Sequence, residues 1–343
     1  MEEKVYYLGL VFNFEPPNLK VLKLYKKYKS FKKIFQVLEK EFKKKLDWEK
    51  EYDKLQKIGG DLILISDKEF PRELKENKTY VLGIFVLGEK NLNKFKNKIA
   101  VVGTRKPSKI GEKTAKEFSK IFAENGLTII SGLAYGIDLA SHLGALEVKK
   151  ENFAIIGCGL DVILKDPRKK YVEKIIESGG GIISEYPLGS PQKPHHFPLR
   201  NRIIAALGKI IIIIEAPENS GSLITAKFAL EYGKDIYALP GSIYDKNYRG
   251  NLKLIQEGAY LLISPEEILN LFGKKQKKID IHLSSEEKLI IKNLNDSSKT
   301  IDELKELTGL EIGKLLEILT SLEIKEIIIN KEGKIYLNEA FNC

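Results

Sequence analysis

Hydrophobic and polar positions follow two different periods along the chain. In the first 60 residues apolar side chains recur at helical spacing among many lysines, as in residues 19–25 and 31–38. From about residue 61 the apolar runs are short and bounded by polar residues or glycine, as in residues 61–65 and 80–87, which indicates buried strands. This change predicts a helical N-terminal domain over residues 1–66, followed by a domain that contains a sheet.

Between residues 98 and 273, apolar runs alternate with amphipathic helical stretches. The runs have the length of strands and are apolar on both faces, and they cover residues 99–103, 127–131, 153–157, 181–184, 210–215 and 235–239. Strands of this kind, separated by helices, are typical of a parallel sheet that is covered by helices on both faces. The pattern therefore predicts an α/β fold with a doubly wound, mostly parallel sheet over residues 67–273. Ligands of such sheets bind at the carboxyl ends of the strands.

The C-terminal part of the chain has a pattern of its own. Residues 274–283 are rich in lysine and predict a charged linker. Beyond it we predict three short helices and a β-hairpin, over residues 284–294, 300–308, 311–322, 326–330 and 334–337. Thr300 and Glu303 have the spacing of a capping box, and Gly309 stands where a glycine commonly ends a helix. Three helices and a hairpin are the plan of a winged helix, which we predict for residues 284–343.

The composition adds a basic charge to this picture. Lysine and arginine total 57 against 47 acidic residues in a chain of 343, a formal charge of +10. This charge permits an anionic partner such as nucleic acid, and it equally describes a solvated lysine surface. Arginine is rare, yet most of it lies in the α/β stretch, at Arg105, Arg168, Arg200, Arg202 and Arg249. Because a guanidinium binds phosphate through two parallel hydrogen bonds, these positions are candidates for anion binding.

The cysteine content and the hydropathy of the chain indicate the cellular compartment in which we expect the protein. The two cysteines, Cys158 and Cys343, have neither the number nor the spacing of a disulfide framework or a zinc site. The N-terminus lacks a basic segment followed by an apolar core, and the most apolar run, residues 210–214, is far shorter than the ~20 residues that span a bilayer. We expect a soluble, cytoplasmic protein that makes no membrane contact.

Two of the predicted loops at strand ends have the residues of an anion site. Both run into a helix and combine glycine, which lets a ligand approach the backbone, with hydroxyl groups near the helix N-terminus. These residues are Gly103, Thr104, Arg105 and Ser108 in the first loop, and Ser220, Gly221 and Ser222 in the other. A plain helix N-cap explains one serine of the second loop well, and the whole Ser-Gly-Ser segment less readily.

A third loop combines tight-turn residues with two titratable groups. Ser131 and Gly132 open a turn from a strand into a helix, on which Asp138 and His142 share one face. A metal site would need a third ligand, and this segment contains none. We therefore interpret Asp138 and His142 as a structural pair that orients the loop.

The densest polar loop covers residues 195–204 and begins with two histidines. Arg200 and Arg202 flank Asn201 just before an apolar helix, so two guanidinium groups and an amide lie close together. Phe197 offers a ring face on which an unpaired base can stack, although packing is the commoner role of a phenylalanine before proline. No cysteine, aspartate or glutamate lies at ligand spacing within this loop, so we expect no metal site.

Signatures of nucleotide hydrolysis and dinucleotide binding are missing or weak. No Gly-x4-Gly-Lys-Ser/Thr segment occurs, and the Gly-x-Gly at residues 157–159 is followed by Val162 where the fingerprint has its third glycine. The carboxylates at the strand ends do not form an obvious catalytic pair by spacing. The loops therefore fit a binding surface better than a reaction centre, and we expect neither catalysis nor a cofactor.

These motifs, in this order, resemble the DNA-processing protein A family, DprA or Smf. The matching segments include Gly103-Thr-Arg105, Ser131-Gly-Leu-Ala-x-Gly-Ile-Asp138, Gly157-x-Gly-Leu-Asp161, Phe197-Pro-x-Arg-Asn-Arg-Ile-Ile204, Glu215-Ala-x3-Ser-Gly-Ser-Leu-Ile-Thr-Ala226 and Ala238-x-Pro-Gly-Ser242. The likeness covers about residues 50–270. It implies an extended Rossmann domain that binds single-stranded DNA without catalysis and forms a homodimer. It also implies protection of incoming strands and loading of a RecA-type recombinase onto them during natural transformation.

The resemblance also implies roles for single residues. Arg105 would grip a phosphate, beside a groove lined by Ser131, Gly132, Arg200, Asn201 and Arg202. The Tyr-Pro and basic residue that usually follow Asp161 in the family are missing here, and Lys165 or Arg168 is the candidate replacement for the positive charge. The N-terminal helices resemble the family's sterile-alpha-motif-like or helix-hairpin-helix element.

Two other functions stay open at this point. Rossmann-like nucleoside-monophosphate phosphoribohydrolases use similar loops around a sugar phosphate, but their Pro-Gly-Gly-x-Gly-Thr-x-x-Glu signature is missing here. A transcription regulator would read duplex DNA through the winged helix, yet the candidate recognition helix over residues 311–323 offers only Lys314 beside three glutamates. The leading interpretation is a sequence-independent single-stranded DNA-binding protein.

Overall fold

A computed structural model describes residues 2–77, 79–273, 283–294, 297–325, 327–331 and 333–338 of the chain. The chain divides into two units, residues 1–276 and 277–343. The predicted linker over residues 274–283 falls outside the described residues, except for its last residue.

Four helices open the chain, and they are α1 (Glu2–Asn13), α2 (Leu19–Tyr28), α3 (Phe31–Leu38) and α4 (Trp48–Lys57). Polar side chains begin the last three of them. Asn18, Ser30 and Asp47 each accept a hydrogen bond from a backbone N–H of the following first turn. The helices predicted around residues 19–25 and 31–38 are confirmed.

A nine-stranded sheet follows. Its strands are β1 (Gly60–Leu64), β2 (Gly83–Gly88), β3 (Lys98–Val102), β4 (Thr128–Ser131), β5 (Asn152–Ile156), β6 (Gly181–Ser184), β7 (Ile210–Ile213), β8 (Asp235–Ala238) and β9 (Tyr260–Leu261). Their order in the sheet is β1-β2-β6-β5-β4-β3-β7-β8-β9. The β1–β2 and β2–β6 pairs are antiparallel, and the other neighbouring strands run parallel. The prediction of a mostly parallel sheet is confirmed.

Helices cover both faces of the sheet. They are α5 (Arg72–Glu76), α6 (Lys109–Glu124), α7 (Ile137–Glu147), α8 (Leu160–Ile163), α9 (Lys169–Glu177), α10 (His196–Leu207), α11 (Ser222–Glu231), α12 (Arg249–Gln256) and α13 (Pro265–Leu271). Successive side chains of β3 enter different cores because a strand alternates its faces. Ile99 and Val101 share a cluster with residues of α6 and α7, whereas Ala100 and Val102 share one with residues of α10 and α11. The fold is therefore a doubly wound, Rossmann-like sheet.

The strand order reverses between β3 and β7. From β3 the chain adds β4, β5 and β6 on one side, and it then returns to place β7, β8 and β9 on the other side. The loops that leave β3 and β7 consequently diverge to opposite faces. A crevice opens at such a switch point, at the carboxyl ends of the two strands.

The N-terminal helices pack against the sheet. Leu8 and Leu10 of α1 belong to one apolar cluster with Leu62 of β1 and Phe85 of β2. Strand β1 also lies before the predicted boundary at residue 67, so the last residues assigned to the helical domain are part of the sheet. A separate helical domain over residues 1–66 stays a prediction.

The second unit contains α14 (Ser285–Leu294), β10 (Lys299–Thr300), α15 (Ile301–Thr308), α16 (Ile312–Ile324), β11 (Ile328–Lys331) and β12 (Lys334–Leu337). The strands form an antiparallel sheet with β12 between β10 and β11. The predicted capping box is confirmed, since Glu303 donates its N–H to Thr300 Oγ1 at 3.2 Å and accepts the Thr300 N–H at 2.7 Å. Gly309 ends α15 with a φ of 67°. The winged-helix assignment itself stays a prediction.

Candidate functional site

A groove of about 710 Å³ lies at the switch point of the sheet. Its walls are the loop after β3, the N-terminal end of α10, and the segment that leads from β7 into α11. Of the residues selected from the sequence, it is lined by Gly103, Thr104, Arg105, Phe197, Arg200, Asn201, Ser220, Gly221 and Ser222. The fold thus brings residues from three separate segments together, because parallel strands end at the same edge of the sheet.

The guanidinium of Arg105, in the loop after β3, lies over the ring of Phe197 at the start of α10. The guanidinium carbon of Arg105 lies 4.4 Å from the centroid of the Phe197 ring. Arg105 is exposed and Phe197 is partly buried. A stacked guanidinium keeps its N–H groups in its own plane, so they remain available to phosphate oxygens. The pair therefore combines an apolar face with an anion-binding edge.

Arg200 forms the base of the groove and is only 4% exposed. Its Nη1 donates to the carbonyl oxygen of Gly132 at 2.6 Å and to that of Ile155. Gly132 has to be a glycine here, since an added Cβ would lie 2.3 Å from that Nη1. These hydrogen bonds hold the Arg200 side chain in place. Arg200 therefore contributes positive charge to the groove and is not a mobile side chain that reaches out to a ligand.

Asp138 is the carboxylate that accompanies Arg200. Burial raises the pKa of Asp138, an effect that Arg200 opposes. Burial likewise lowers the pKa of the Arg200 guanidinium to about 10, with a smaller lowering from the charge of Arg105 and an opposing effect of Asp138. A guanidinium with that pKa is still protonated at neutral pH. The base of the groove therefore holds a protonated guanidinium close to a buried carboxyl group.

The N-terminus of α11 forms the opposite wall. The hydroxyl oxygens of Ser220 and Ser222 are 2.7 Å apart, and Asn201 of α10 donates its Nδ2–H to the carbonyl oxygen of Gly221 at 3.1 Å. Thr225 is buried and lines the groove, and its Oγ1 has no hydrogen-bond partner among the residues that the structure describes. The partial positive charge of a helix N-terminus favours anions in this position.

Ser108 has a different role from the one predicted. Its N–H and its hydroxyl donate to the two carboxylate oxygens of Glu215, at 2.9 Å and 2.8 Å. Asn247 donates its Nδ2–H to the same carboxylate at 2.6 Å. The carboxylate of Glu215 therefore accepts the hydrogen bonds from both donor groups of Ser108, just before α6 begins. The prediction of Ser108 as a donor to a bound anion is corrected. Ser108 instead ties the loop after β3 to the end of β7.

Arg202 also departs from its predicted role. Its Nη2 lies 2.8 Å and 2.7 Å from the two carboxylate oxygens of Glu185, and both side chains are buried. Arg200 and Arg202 are two residues apart on a helix, so their side chains leave it in different directions. Arg202 faces Glu185 for this reason and does not line the groove.

The remaining predicted contacts lie outside the groove. Ser131 is fully buried and donates its hydroxyl to the carbonyl oxygen of Val101 at 2.6 Å, so it joins β4 to β3. The guanidinium of Arg168 bonds both carboxylate oxygens of Asp166, at 2.7 Å and 2.8 Å. Lys165 is exposed and is not among the lining residues. Neither Lys165 nor Arg168 lines the groove.

His142 is structural, as expected, but its partner is not Asp138. Its Nδ1 lies 2.8 Å from Oδ1 of Asn152, and the ring is fully buried. Burial lowers the pKa of His142 to about 4, although the hydrogen bond with Asn152 opposes the shift. The histidine thus stays neutral at physiological pH and braces the strand that follows its helix.

Lys106, Thr225 and Asn247 are among the lining residues that were not selected from the sequence. Thr225 lies three residues after Ser222 and therefore on the same face of α11, so helical spacing was a usable signal. Asn247 lies in a loop far from the other residues, and nothing in its neighbourhood indicates the contact with Glu215. Within the described part of the chain, no helix is both long and apolar enough to cross a bilayer.

Comparison with known proteins gives a consistent result. Residues 61–273 match the family model described as DNA recombination-mediator protein A. Protein Smf of Escherichia coli strain K12 is 36% identical over 279 residues, which cover 76% of this chain and 73% of that protein.

Two solved structures are similar in fold and sequence. DNA processing protein A of Streptococcus pneumoniae superposes with a TM-score of 0.64 at 37% identity, over 74% of this chain and 91% of that one. DNA processing protein A of Helicobacter pylori gives a TM-score of 0.56 at 26% identity, over 63% of this chain and 97% of that one. The latter structure is described in terms of a unique single-stranded DNA binding mode.

Proposed function

The chain belongs to the family of DNA recombination-mediator protein A, and on this premise we propose that it binds single-stranded DNA in the groove at the switch point. The observation that carries the proposal is the Arg105 guanidinium stacked on the Phe197 ring. Single strands expose both phosphates and unpaired bases, and this pair offers a donor edge for the first and an aromatic neighbour for the second.

The charges of the groove support an anionic ligand. Arg105, Lys106 and Arg200 line it together with one carboxylate, Asp138, whose charge the adjacent Arg200 offsets. The N-terminus of α11 adds a partial positive charge. This arrangement favours a phosphate backbone and includes no pattern that distinguishes one base from another. We therefore propose binding without sequence preference.

The Helicobacter pylori protein supports the choice of single-stranded over duplex DNA, since its structure is described by its single-stranded DNA binding mode. Within this chain, stacking provides the physical reason. The ring faces of bases are accessible in a single strand and hidden in a duplex. A labelled single strand should accordingly bind more tightly than the same sequence as a duplex.

A salt titration of an Arg105 variant tests the site. For single strands, log K falls with log[salt] with a slope of about −0.7 per phosphate neutralised. We expect Arg105→Ala to weaken binding of labelled oligo-dT and to make the slope shallower by about 0.7. Arg72→Ala is the matched control, because Arg72 is exposed and lies outside the groove. Equal affinity of Arg105→Ala and the parent over the salt series would reject the site.

We propose that this binding proceeds without catalysis. Acid–base chemistry by carboxylates commonly uses a pair, and Asp138 is the one carboxylate among the groove-lining residues that the structure describes. Incubation with AMP tests the alternative of a phosphoribohydrolase. Steady release of free adenine, lost in a groove variant, would overturn the binding-only proposal.

We also propose the finer role that the resemblance implies. The protein would act as a homodimer, protect single strands and load a RecA-type recombinase onto them. Family membership is the support for this step. Nuclease digestion of bound oligonucleotide, with Arg105→Ala as comparison, measures protection. Light scattering gives the mass of the assembly, and strand exchange by a recombinase measures loading.

For the C-terminal part we propose a winged helix over residues 284–343, which a linker over residues 274–283 joins to the rest of the chain. We propose that this winged helix docks proteins and does not read duplex DNA. Support comes from α16, in which Lys314 lies 3.3 Å from the carboxylate of Glu317 and is therefore partly neutralised. Truncation after residue 273 should leave single-strand affinity within about twofold, since the groove lies wholly before that point. A large loss would assign the affinity to the second unit.

A further inference from the structure

Three side chains with metal-ligand chemistry meet at the start of α10. His196 is the first residue of α10 and His195 precedes it, and Glu15 reaches them from the segment that follows α1. Nε2 of His196 lies 2.6 Å from Oε1 of Glu15, and Nε2 of His195 lies 3.5 Å from Oε2 of the same carboxylate. The fold thus supplies the carboxylate that the histidine loop lacks in the sequence.

His196 is held as a histidine ligand is held in a metal site. Its Nδ1 lies 2.9 Å from the carbonyl oxygen of Gly157, and its buried ring stacks on Tyr186 at a centroid distance of 3.9 Å. A carbonyl oxygen and a carboxylate only accept, so Nδ1 donates to Gly157 and, without a metal, Nε2 donates to Glu15. A metal ion bound at Nε2 would take the place of that second proton, which is released on binding. Metal-binding histidines are oriented by the same kind of hydrogen bond.

We propose that Glu15, His195 and His196 bind a divalent transition-metal ion, and that their ligand chemistry selects Zn²⁺. Two imidazole nitrogens and a carboxylate oxygen are a common ligand set of zinc, with a water in the fourth position. In a tetrahedral site with ligands at 2.0–2.1 Å, ligand atoms are about 3.3 Å apart. The two distances to Glu15 lie on either side of that value, and all the candidate ligand atoms lie within 4.8 Å of one another.

Lys193 is the competitor for this site. Its Nζ lies 2.6 Å from Oε1 of Glu15, the oxygen that also contacts His196. An ion bound to Glu15 has to displace this ammonium group, and the two positive charges repel each other. The same competition gives a specific expectation, since removal of the Lys193 charge should strengthen metal binding.

The site would connect two parts of the first unit. Glu15 follows α1, whereas the histidines begin α10, whose Phe197 and Asn201 line the groove. A bound ion would join the N-terminal helices to the helix that presents these groove residues.

A ligand that binds only the folded form of a protein stabilises that form. The melting temperature of the protein should therefore rise with the free metal concentration.

Metal titration of the full chain tests the proposal. Chelator-treated protein is titrated with Zn²⁺ against a chromophoric chelator, and Co²⁺ absorption reports the coordination geometry. We expect about one equivalent to bind, with His195→Ala and Glu15→Gln each lowering the affinity at least about tenfold. Both side chains are about half exposed, so their replacement leaves the core intact. Lys193→Met should raise the affinity.

His282→Ala is the control, because it removes another histidine of the sequence and should leave binding unchanged. Several outcomes would overturn the proposal. They are the lack of saturable binding, equal affinities of the parent and both ligand variants, loss of binding in His282→Ala, and an affinity of Lys193→Met at or below that of the parent. Circular dichroism of each variant separates loss of the site from loss of the fold.

Discussion

The guanidinium of Arg202 forms an ion pair with the carboxylate of Glu185, with Nη2 at 2.8 Å and 2.7 Å from the two oxygens, and both side chains are buried. Burial raises the pKa of Glu185, an effect that Arg202 opposes. The Arg202 guanidinium thus favours the ionised form of the buried Glu185 carboxyl group. The pair belongs to the framework beneath the groove and not to its surface.

Arg202→Met should therefore destabilise the protein without a direct effect on DNA. Removing one partner leaves an uncompensated buried charge, which costs roughly 3–5 kcal/mol of unfolding free energy. The double variant Arg202→Met/Glu185→Gln should regain much of this loss. Urea unfolding measures the stabilities, and oligo-dT affinity at a temperature where the variant is folded should match the parent. A selective loss of affinity in the folded variant would return Arg202 to the binding site.

Phe197→Leu should weaken single-strand binding. Leucine keeps the apolar character but removes the ring that stacks with Arg105, and a stacking contact with a base contributes about 1–3 kcal/mol. We expect about a tenfold lower affinity for oligo-dT, and Phe197→Tyr should retain most of the parental affinity. Fluorescence anisotropy at fixed salt measures both. If leucine and tyrosine variants bind alike, the ring has no part in recognition.

Thr225→Val separates ligand binding from stability. The Thr225 hydroxyl has no hydrogen-bond partner in the described part of the protein, and valine has nearly the same shape. The free energy of unfolding should therefore stay within about 0.5 kcal/mol of the parent. The affinity for oligo-dT should fall by about tenfold if the hydroxyl donates to a phosphate. A loss of stability with unchanged affinity would contradict this role.

His142 makes the stability depend on pH in a defined window. Burial lowers its pKa from 6.5 to about 4, so the unfolded chain takes up the proton first as the pH falls. The contribution of the neutral ring is fully present above pH 6.5 and is lost as the pH falls towards 4, by roughly 3 kcal/mol in total. Urea unfolding at pH 7.5 and pH 4.5 measures the change.

His142→Gln serves as the comparison because it lacks the titrating ring but shares all the carboxylates of the parent. Between the two pH values it should lose less stability than the parent does. An equal loss in both proteins would show that His142 is already accessible to protons in the folded state.

The hydrophobic periodicity of the sequence was sufficient to predict the α/β architecture. Strands β3 to β8 begin and end within two residues of the predicted runs, because buried strands need continuous apolar segments and turns need glycine or polar residues. The short parallel strand β9 was not predicted. Local signals were equally reliable at Thr300, Glu303 and Gly309, since a cap is made by residues a few positions apart. The two antiparallel pairs at the β1 edge carry no such local signal.

The individual roles of polar side chains were less predictable. Arg105, Arg200 and Arg202 have the same chemistry and were all predicted in loops at strand ends, whereas Arg200 and Arg202 lie on α10. One is exposed, one supports the base of the groove and one pairs with Glu185. Ser108 was selected as a ligand contact and is held by Glu215 instead. A side chain's partner depends on which distant segment the fold places beside it.

The sequence alone thus determined the fold class, the edge of the sheet where polar loops gather and the family to which these loops belong. The tertiary structure decided which of the arginines face the groove, and it brought Glu15 to the histidines of α10 across about 180 positions of sequence. The physical reason is the range of the forces involved. Secondary structure and hydrophobic pattern are set by neighbours along the chain, whereas hydrogen bonds and ion pairs of buried polar groups are set by neighbours in space.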